Sequence, residues 1–297
     1  MTGVRYSSDA LELIVEAKVA DLLDGVDHVA AKALEPSGVC VHDGAFYVIF
    51  DNVSAIARIE DLSARSPGNR LLSASVGGPG RDTEDITFDP VSRHFFVLSE
   101  AVEHEGQLLG EVHEHGLDGT PLGHAFLDVA LETRNKGLEG LGCIVRDGEL
   151  FLLGLCEGNR CKGGTAGRRP GGGRIHVFRR APLVWKREAT IRLPKDLDFI
   201  DYASVAVRGD RIAVVSQSSS ALWIGTLATT GFAVEESGTV YTLPRDADHR
   251  VVYGTVEGVS WLTDDRLVMV SDRAEGNTPA QEKDRSLHVF RLPSPWG

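Results

Sequence analysis

Five short segments of the chain carry residues that could bind a metal ion. Each segment opens on a serine or a glutamate, runs into an apolar stretch, turns, and returns as a second apolar stretch. The opening residues are Ser37, Glu84, Glu139, Ser204 and Glu257. If the fold brings them together, the three carboxylates repel one another unless a cation lies between them. Oxygen ligands without nearby thiolate or imidazole predict Ca²⁺, with Mg²⁺ or Mn²⁺ as alternatives.

A simpler interpretation of the same five residues stays open at this point. A glutamate followed by glycine and an apolar run is also an ordinary way to enter a strand, and the centre of the fold would then hold water. What favours a metal site is that three glutamates and two serines recur at one position of five repeated segments.

Further polar residues accompany the segments and complete a predicted site. Glu100 and Asp272 end the second apolar stretch of their segments, and we predict that one of them is a general base. Cationic residues close to the segments predict contacts to an anionic substrate, and these residues are Arg81, Lys136, Arg160 and Arg273.

The elements that must position these residues are hairpins of a repeated unit. The turns between the paired apolar stretches read HDG, DPVSR, RDG, RGD and TDD, and all of them suit β-hairpins. Successive copies begin about 50 residues apart, a spacing that fits a four-stranded antiparallel blade. The sequence therefore predicts an all-β fold, a five-bladed β-propeller in which the first strand of each blade lines a central channel.

The last copy has only three strands before the chain ends, so its blade needs a fourth strand. The N-terminal segment LELIVEAKV partly alternates apolar and polar residues and can supply that strand. Pairing the two ends of the chain would close the ring and remove exposed sheet edges. No linker separates the copies, so we expect one domain over residues 1–297.

The net charge of the chain restricts the classes of molecule that it can bind. The formal net charge is -12, which argues against a nucleic acid or an anionic membrane as the main partner. The N-terminus lacks a basic and then apolar leader, which predicts a cytoplasmic protein.

Four cysteines are too few for a disulfide framework, and Cys156 and Cys161 could form a bridge or be free.

The motifs SGVCV, EDITF, KGLEGLG, YASVAV and VEGVSW resemble the blade openings of the calcium-activated nucleotidases, the soluble apyrase family. That resemblance implies five blades with one such residue from each blade around a central Ca²⁺. The sequence also looks like the phytase-like esterase and SdiA-regulated propellers, which share blade openings of this type.

Two classes of function follow. The first is a metal-dependent hydrolase that acts on a small anionic molecule, such as a phosphate ester or anhydride, at the mouth of the channel. A lactonase or esterase on the same metal is a close variant. The second is a non-catalytic propeller that binds a ligand or a protein partner and keeps a structural central metal. The fold alone does not distinguish these classes.

Overall fold

The structure is a computed structural model that describes residues 3–27, 33–72, 82–133, 137–276 and 278–293. Strands dominate it, and they form four sheets. The helical elements with described bounds are short: Val19–Leu22, Asn159–Cys161, Gly164–Gly167 and Pro279–Glu282. No helix in these ranges is both long enough and apolar enough to cross a membrane.

Two of the sheets contain four strands each. The strands of the first are consecutive in the chain: β3 (Pro36–His42), β4 (Ala45–Phe50), β5 (Ile56–Ile59) and β6 (Arg70–Leu72). The second joins both ends of the chain: β19 (Val256–Trp261), β20 (Arg266–Ser271), β21 (Ser286–Arg291) and β2 (Glu12–Lys18). Strand β2 pairs antiparallel with β21, so the N-terminal segment is the fourth strand of this sheet, as its alternation predicts.

The third sheet has five strands because a short N-terminal strand is added to its edge. Its strands are β15 (Ser204–Arg208), β16 (Arg211–Ser216), β17 (Ala221–Leu227), β18 (Val234–Thr242) and β1 (Arg5–Tyr6). The first four form an antiparallel meander, and β1 pairs parallel with β18.

The fourth sheet has eight strands and consists of two antiparallel units. The first unit contains β7 (Thr83–Asp89), β8 (His94–His104), β9 (Gln107–His115) and β10 (Pro121–Ala130). The second contains β11 (Leu138–Arg146), β12 (Glu149–Cys156), β13 (Arg174–Arg180) and β14 (Val184–Arg192). Their outer strands β10 and β14 are joined by parallel pairing at Phe126 and Leu127. The sheet count therefore differs from the five separate sheets that the sequence predicts.

The core lies between neighbouring units rather than at one centre. Strand β4 illustrates this, because side chains of a strand point alternately to its two faces. Phe46 and Val48 share an apolar cluster with Val268 of β20, whereas Tyr47 packs with Phe95 of β8 in another cluster. All six residues of β4 are buried, which explains its continuous apolar sequence.

The first strands of the units surround a common axis. Strand β3 contacts β7, β7 contacts β11, β11 contacts β15, β15 contacts β19, and β19 contacts β3 again. The contacts are close: a Cβ placed on Gly258 would lie 2.9 Å from the Cα of Gly38, so a side chain there would push the inner strands apart. Sheets arranged around an axis in this way form a β-propeller.

Candidate functional site

The glutamates that open the segments owe their orientation to β-bulges. In β11, Leu138 pairs with Cys156 and Gly140 with Leu155, so Glu139 is an extra residue that the partner strand does not match. Strand β19 has the same register shift at Glu257. Register shifts also occur near the start of β7, between Thr83 and Ile86, and near the start of β3, between Pro36 and Gly38. A bulge bends the strand and re-aims a side chain, which is how these carboxylates leave the ladder.

Three of the predicted metal ligands meet at one end of the axis. Glu84, Glu139 and Glu257 line a cavity of about 140 Å³. The remaining residues that line this cavity are Glu157, Asp201, Tyr202, Ala203 and Gln217. We call this cavity with its rim the acidic mouth. None of its described lining residues is cationic.

Burial and mutual repulsion raise the pKa values of these three carboxyls. Burial is the largest cause for Glu84 and Glu139, which share a hydrogen bond and also feel the charge of Glu100. The pKa of Glu257 is raised well above 4.5 by burial and by the charges of Asp272 and Glu139. The Nε2 of Gln217 donates to Glu257 Oε1 over 2.9 Å. Carboxyls in this arrangement either hold protons or share a cation.

The two predicted general bases lie near the glutamates of the acidic mouth, since the charge of Glu100 raises the pKa of Glu84 and that of Asp272 raises the pKa of Glu257. Burial, with the charges of Glu35 and Asp51, raises the pKa of Asp272 to about 6. Glu100 is held in place because its Oε1 accepts a hydrogen bond from the backbone N–H of Gly137, at 2.8 Å.

The two predicted serine ligands form hydrogen bonds elsewhere. The Ser37 hydroxyl donates to the carbonyl of Thr83 over 2.6 Å. The Ser204 hydroxyl donates to Asp85 Oδ2 over 2.7 Å and accepts from the N–H of Val259. Strand register explains the second case. Ser204 pairs directly with Val215, in the way that Gly140 of β11 pairs with Leu155. The residue that corresponds to Glu139 is therefore Ala203, one position before Ser204.

Asp85 is a central residue that the sequence analysis missed. It is buried beneath the acidic mouth, and its carboxyl accepts from the N–H of Ile86 at 2.8 Å, the N–H of Leu141 at 2.9 Å and the hydroxyl of Ser204. It therefore links β7 to β11 and β15. The available signal was that copy two reads Glu-Asp where copies three and five read Glu-Gly.

The predicted cationic residues do not gather in the described part of the acidic mouth. Arg81 and Lys136 lie outside the described residues. Arg273 forms an ion pair with Glu35 over 3.2 Å, and its side chain is 59% exposed. Arg160 lines a different cavity, with Arg174 and Arg192.

The segment after β12 is ordered around a buried asparagine. Cys156 and Cys161 form a disulfide at its base, whereas Cys40 and Cys143 are free. Asn159 is fully buried, and its amide donates to the carbonyls of Gly167 and Phe199. Glu157, which directly follows Cys156, lines the acidic mouth.

Comparison with known proteins supports the fold. A scan against protein-family models finds no match, and a search of curated protein sequences finds none. Similar solved structures include a glutaminyl cyclase from Myxococcus xanthus, with 13% identity, a TM-score of 0.56 and coverage of 98% of both chains. A GH43_1 enzyme from Xanthomonas citri complexed with xylotriose has 12% identity and a TM-score of 0.52 over 94% of this chain and 90% of that one.

An α-L-arabinofuranosidase from Lactobacillus brevis is similar to the same degree, with 14% identity and a TM-score of 0.51 over 87% of this chain and 90% of that one. At these identities the similarity concerns the fold and not the activity. Together with the strand topology, it shows that the chain adopts a β-propeller fold like those of these enzymes.

Proposed function

We propose that the protein is a Ca²⁺-dependent hydrolase whose active site is the acidic mouth. The observation that carries this proposal is the convergence of Glu84, Glu139 and Glu257 from three first strands on one cavity. Buried carboxylates without a cation are costly, and their raised pKa values express that cost. Ring contacts among the five first strands support the further proposal that the propeller has five blades.

The residues of the acidic mouth fit a hard divalent cation. Glu84, Glu139 and Glu257 would hold the ion, and carboxylate oxygen is the ligand type that Ca²⁺ prefers. The lining of the cavity contains no thiol or imidazole group, which disfavours zinc and copper. When bound, the ion would supply a positive charge that polarises the oxygen of a bond to be cleaved.

Asp272 is our candidate general base. A base with a pKa of about 6 is ionised at neutral pH and still accepts a proton from water with a useful driving force. Glu100, held by Gly137, faces the same group of carboxyls and would orient the attacking water. In this proposal both residues act beside the buried glutamates, whose pKa values respond to their charges.

The electrostatics of the acidic mouth favour an uncharged substrate. Five described lining residues carry carboxyl groups, and one divalent ion offsets only part of that charge. Arg160, which was expected to bind an anion at the mouth, lines a different cavity, and Arg273 pairs with Glu35. We therefore propose an ester, lactone or glycoside as substrate in preference to the phosphate ester or anhydride that the sequence suggests.

Calorimetry on metal-free protein, followed by a substrate panel, tests the proposal. We expect one Ca²⁺ to bind per chain more tightly than Mg²⁺ or Mn²⁺, and hydrolysis of at least one ester, lactone or glycoside that EDTA abolishes. Calcium binding without hydrolysis of any member, phosphate esters and nucleotides included, favours the non-catalytic interpretation. Absence of metal binding together with EDTA-resistant activity contradicts the metal-dependent mechanism.

Metal-free protein should lose stability as the pH rises above about 4.5, the ordinary pKa of a glutamate. Unfolded glutamates ionise near 4.5, whereas the folded carboxyls keep protons above that value, so the folded state binds more protons in this window. The free energy of unfolding then falls as pH increases. Calcium should restore more stability at pH 8 than at pH 5, as thermal melts in EDTA and in Ca²⁺ will measure. A Glu139→Gln variant should flatten the metal-free trend; an unchanged slope contradicts the assignment.

Asp272→Asn should lower kcat on the identified substrate about a hundredfold, because the amide cannot accept the proton of water. The wild-type rate should decline below a pH of about 6 as Asp272 becomes protonated. The variant should lose that acidic limb while Ca²⁺ still binds. A variant that keeps both the rate and the acidic limb excludes Asp272 as the base.

A further inference from the structure

A cluster of cationic residues lines a cavity outside the acidic mouth. The cavity measures about 480 Å³ and has Arg160, Arg174, Arg192 and Lys195 in its walls, beside glycines 171–173. We call it the basic pocket. Its charge contrasts with the net charge of -12 of the whole chain, so general surface composition does not explain it.

The cations of the basic pocket repel one another within the fold. Arg174 of β13 and Arg192 of β14 are directly opposite in the antiparallel ladder, an arrangement of like charges that destabilises a sheet. Within the described ranges, Arg174, Arg192 and Lys195 form no ion pair with an acidic side chain. Burial, together with the charges of Arg187 and Arg174, lowers the pKa of the neighbouring His176 to about 4. An anion between these side chains would remove the conflict.

The walls of the basic pocket are fixed by hydrogen bonds. The N–H of Arg160 donates to the carbonyl of Gly172 over 2.7 Å, and the N–H of Gly172 donates to the side chain of Asn159 over 2.9 Å. Gly171 has a φ of 76°, and a Cβ there would lie 2.3 Å from the carbonyl oxygen of Lys195. These contacts order the backbone of the loop before binding, which lowers the entropy cost of binding a ligand.

The basic pocket is next to the acidic mouth but separate from it. A Cβ on Gly173 would lie 2.6 Å from the Tyr202 hydroxyl oxygen, and Tyr202 also lines the acidic mouth. One aromatic side chain thus stands between a cavity of carboxylates and a cavity of cations. The two sites would bind groups of opposite charge.

We propose that the basic pocket binds the phosphate group of a small molecule. Arginine guanidinium groups match phosphate oxygens with paired N–H donors, and a dianionic phosphate neutralises two of the four cations. The glycines let this loop pack closely against Arg160 and Lys195, which holds those cations beside the cavity. This site goes beyond the proposed hydrolase, because it needs neither Ca²⁺ nor any residue that would hold the ion.

Titration calorimetry with inorganic pyrophosphate tests the site on metal-free protein in EDTA and low salt. We expect one pyrophosphate per chain. An Arg174→Gln/Arg192→Gln variant should bind at least about tenfold more weakly, because each lost charged hydrogen bond lowers affinity. Arg187→Gln, on the same strand as Arg192 but outside the pocket lining, is the matched control and should bind as the wild type does.

Thermal melts of the same proteins separate lost binding from lost folding. Without anion, the double variant should melt no lower than the wild type, since two opposed like charges are gone. Pyrophosphate should raise the melting temperature of the wild type by mass action and leave the variant unchanged. An equal loss of binding in Arg187→Gln, or a wild type that binds no pyrophosphate, overturns the proposal.

Competition with other anions defines the chemical class of ligand that the basic pocket binds. Glucose 6-phosphate should bind in competition with pyrophosphate, and inorganic phosphate should compete more weakly because it carries less charge. Citrate at equal concentration should compete least. If citrate binds as tightly as pyrophosphate, the site recognises polycarboxylates and the phosphate assignment is wrong. Since all these titrations omit Ca²⁺, failure here leaves the hydrolase proposal intact, and failure of the hydrolase leaves this one intact.

Discussion

Replacing Glu139 by glutamine is expected to lower the Ca²⁺ affinity about a thousandfold, because ligand charge tunes calcium affinity over several orders of magnitude. Burial, together with the charges of Glu84, Glu157 and Glu100, raises the pKa of Glu139. The amide keeps the size of the side chain but removes one negative charge. Hydrolysis of the identified substrate should fall with metal occupancy, and isothermal calorimetry with EDTA-treated protein measures the affinity directly.

The matched control for this variant is Glu149→Gln, ten residues further along the same hairpin. Glu149 is exposed and pairs with Arg179, so its loss should leave Ca²⁺ binding unchanged. The metal-free Glu139→Gln protein should be at least as stable as the wild type, because a repelling charge is absent. Wild-type calcium affinity in Glu139→Gln would show that the three glutamates do not form the metal site.

The glutamates could be found from sequence because the bulge that re-aims them leaves a local signature. Glutamate followed by glycine and an apolar run marks the bulge in β11 and β19, and the glycine is needed where the inner strands touch. The residues that favour the strands and the turn of each hairpin also lie close together in the sequence. Patterns of this kind survive in a single sequence, so strands and hairpins could be predicted with their approximate places.

What could not be predicted depends on contacts between units. The opening residue of copy four was placed one residue too late, because nothing local distinguishes Ala203 from Ser204 as the counterpart of the other opening residues. The parallel pairing of β10 with β14 joins two units into one sheet, and it links strands that are far apart in the sequence. The disulfide between Cys156 and Cys161 was one of two open alternatives.

The cationic residues illustrate the same limit. Arg160 was expected at the channel because its segment follows a strand that ends there, but a turn redirects it to the basic pocket. The conformation of this turn depends on the side-chain amide of Asn159, which forms hydrogen bonds with Gly167, Gly172 and Phe199. Arg192 and Lys195, from the end of β14, were not noticed, since nothing near them in sequence indicates a binding site.

Asp85→Ala is expected to cost about 3–5 kcal/mol of unfolding free energy, because several buried donors would lose their acceptor at once. The carboxyl accepts from the N–H groups of Ile86 and Leu141 and from the hydroxyl of Ser204, and those donors belong to three first strands. Water cannot easily replace it, since Asp85 is only 1% exposed. Chemical denaturation measures the loss, and Asp128→Ala, on an exposed position of β10, should change stability little. If both variants unfold alike, Asp85 is not the link between the inner strands, and the acidic mouth above it rests on other contacts.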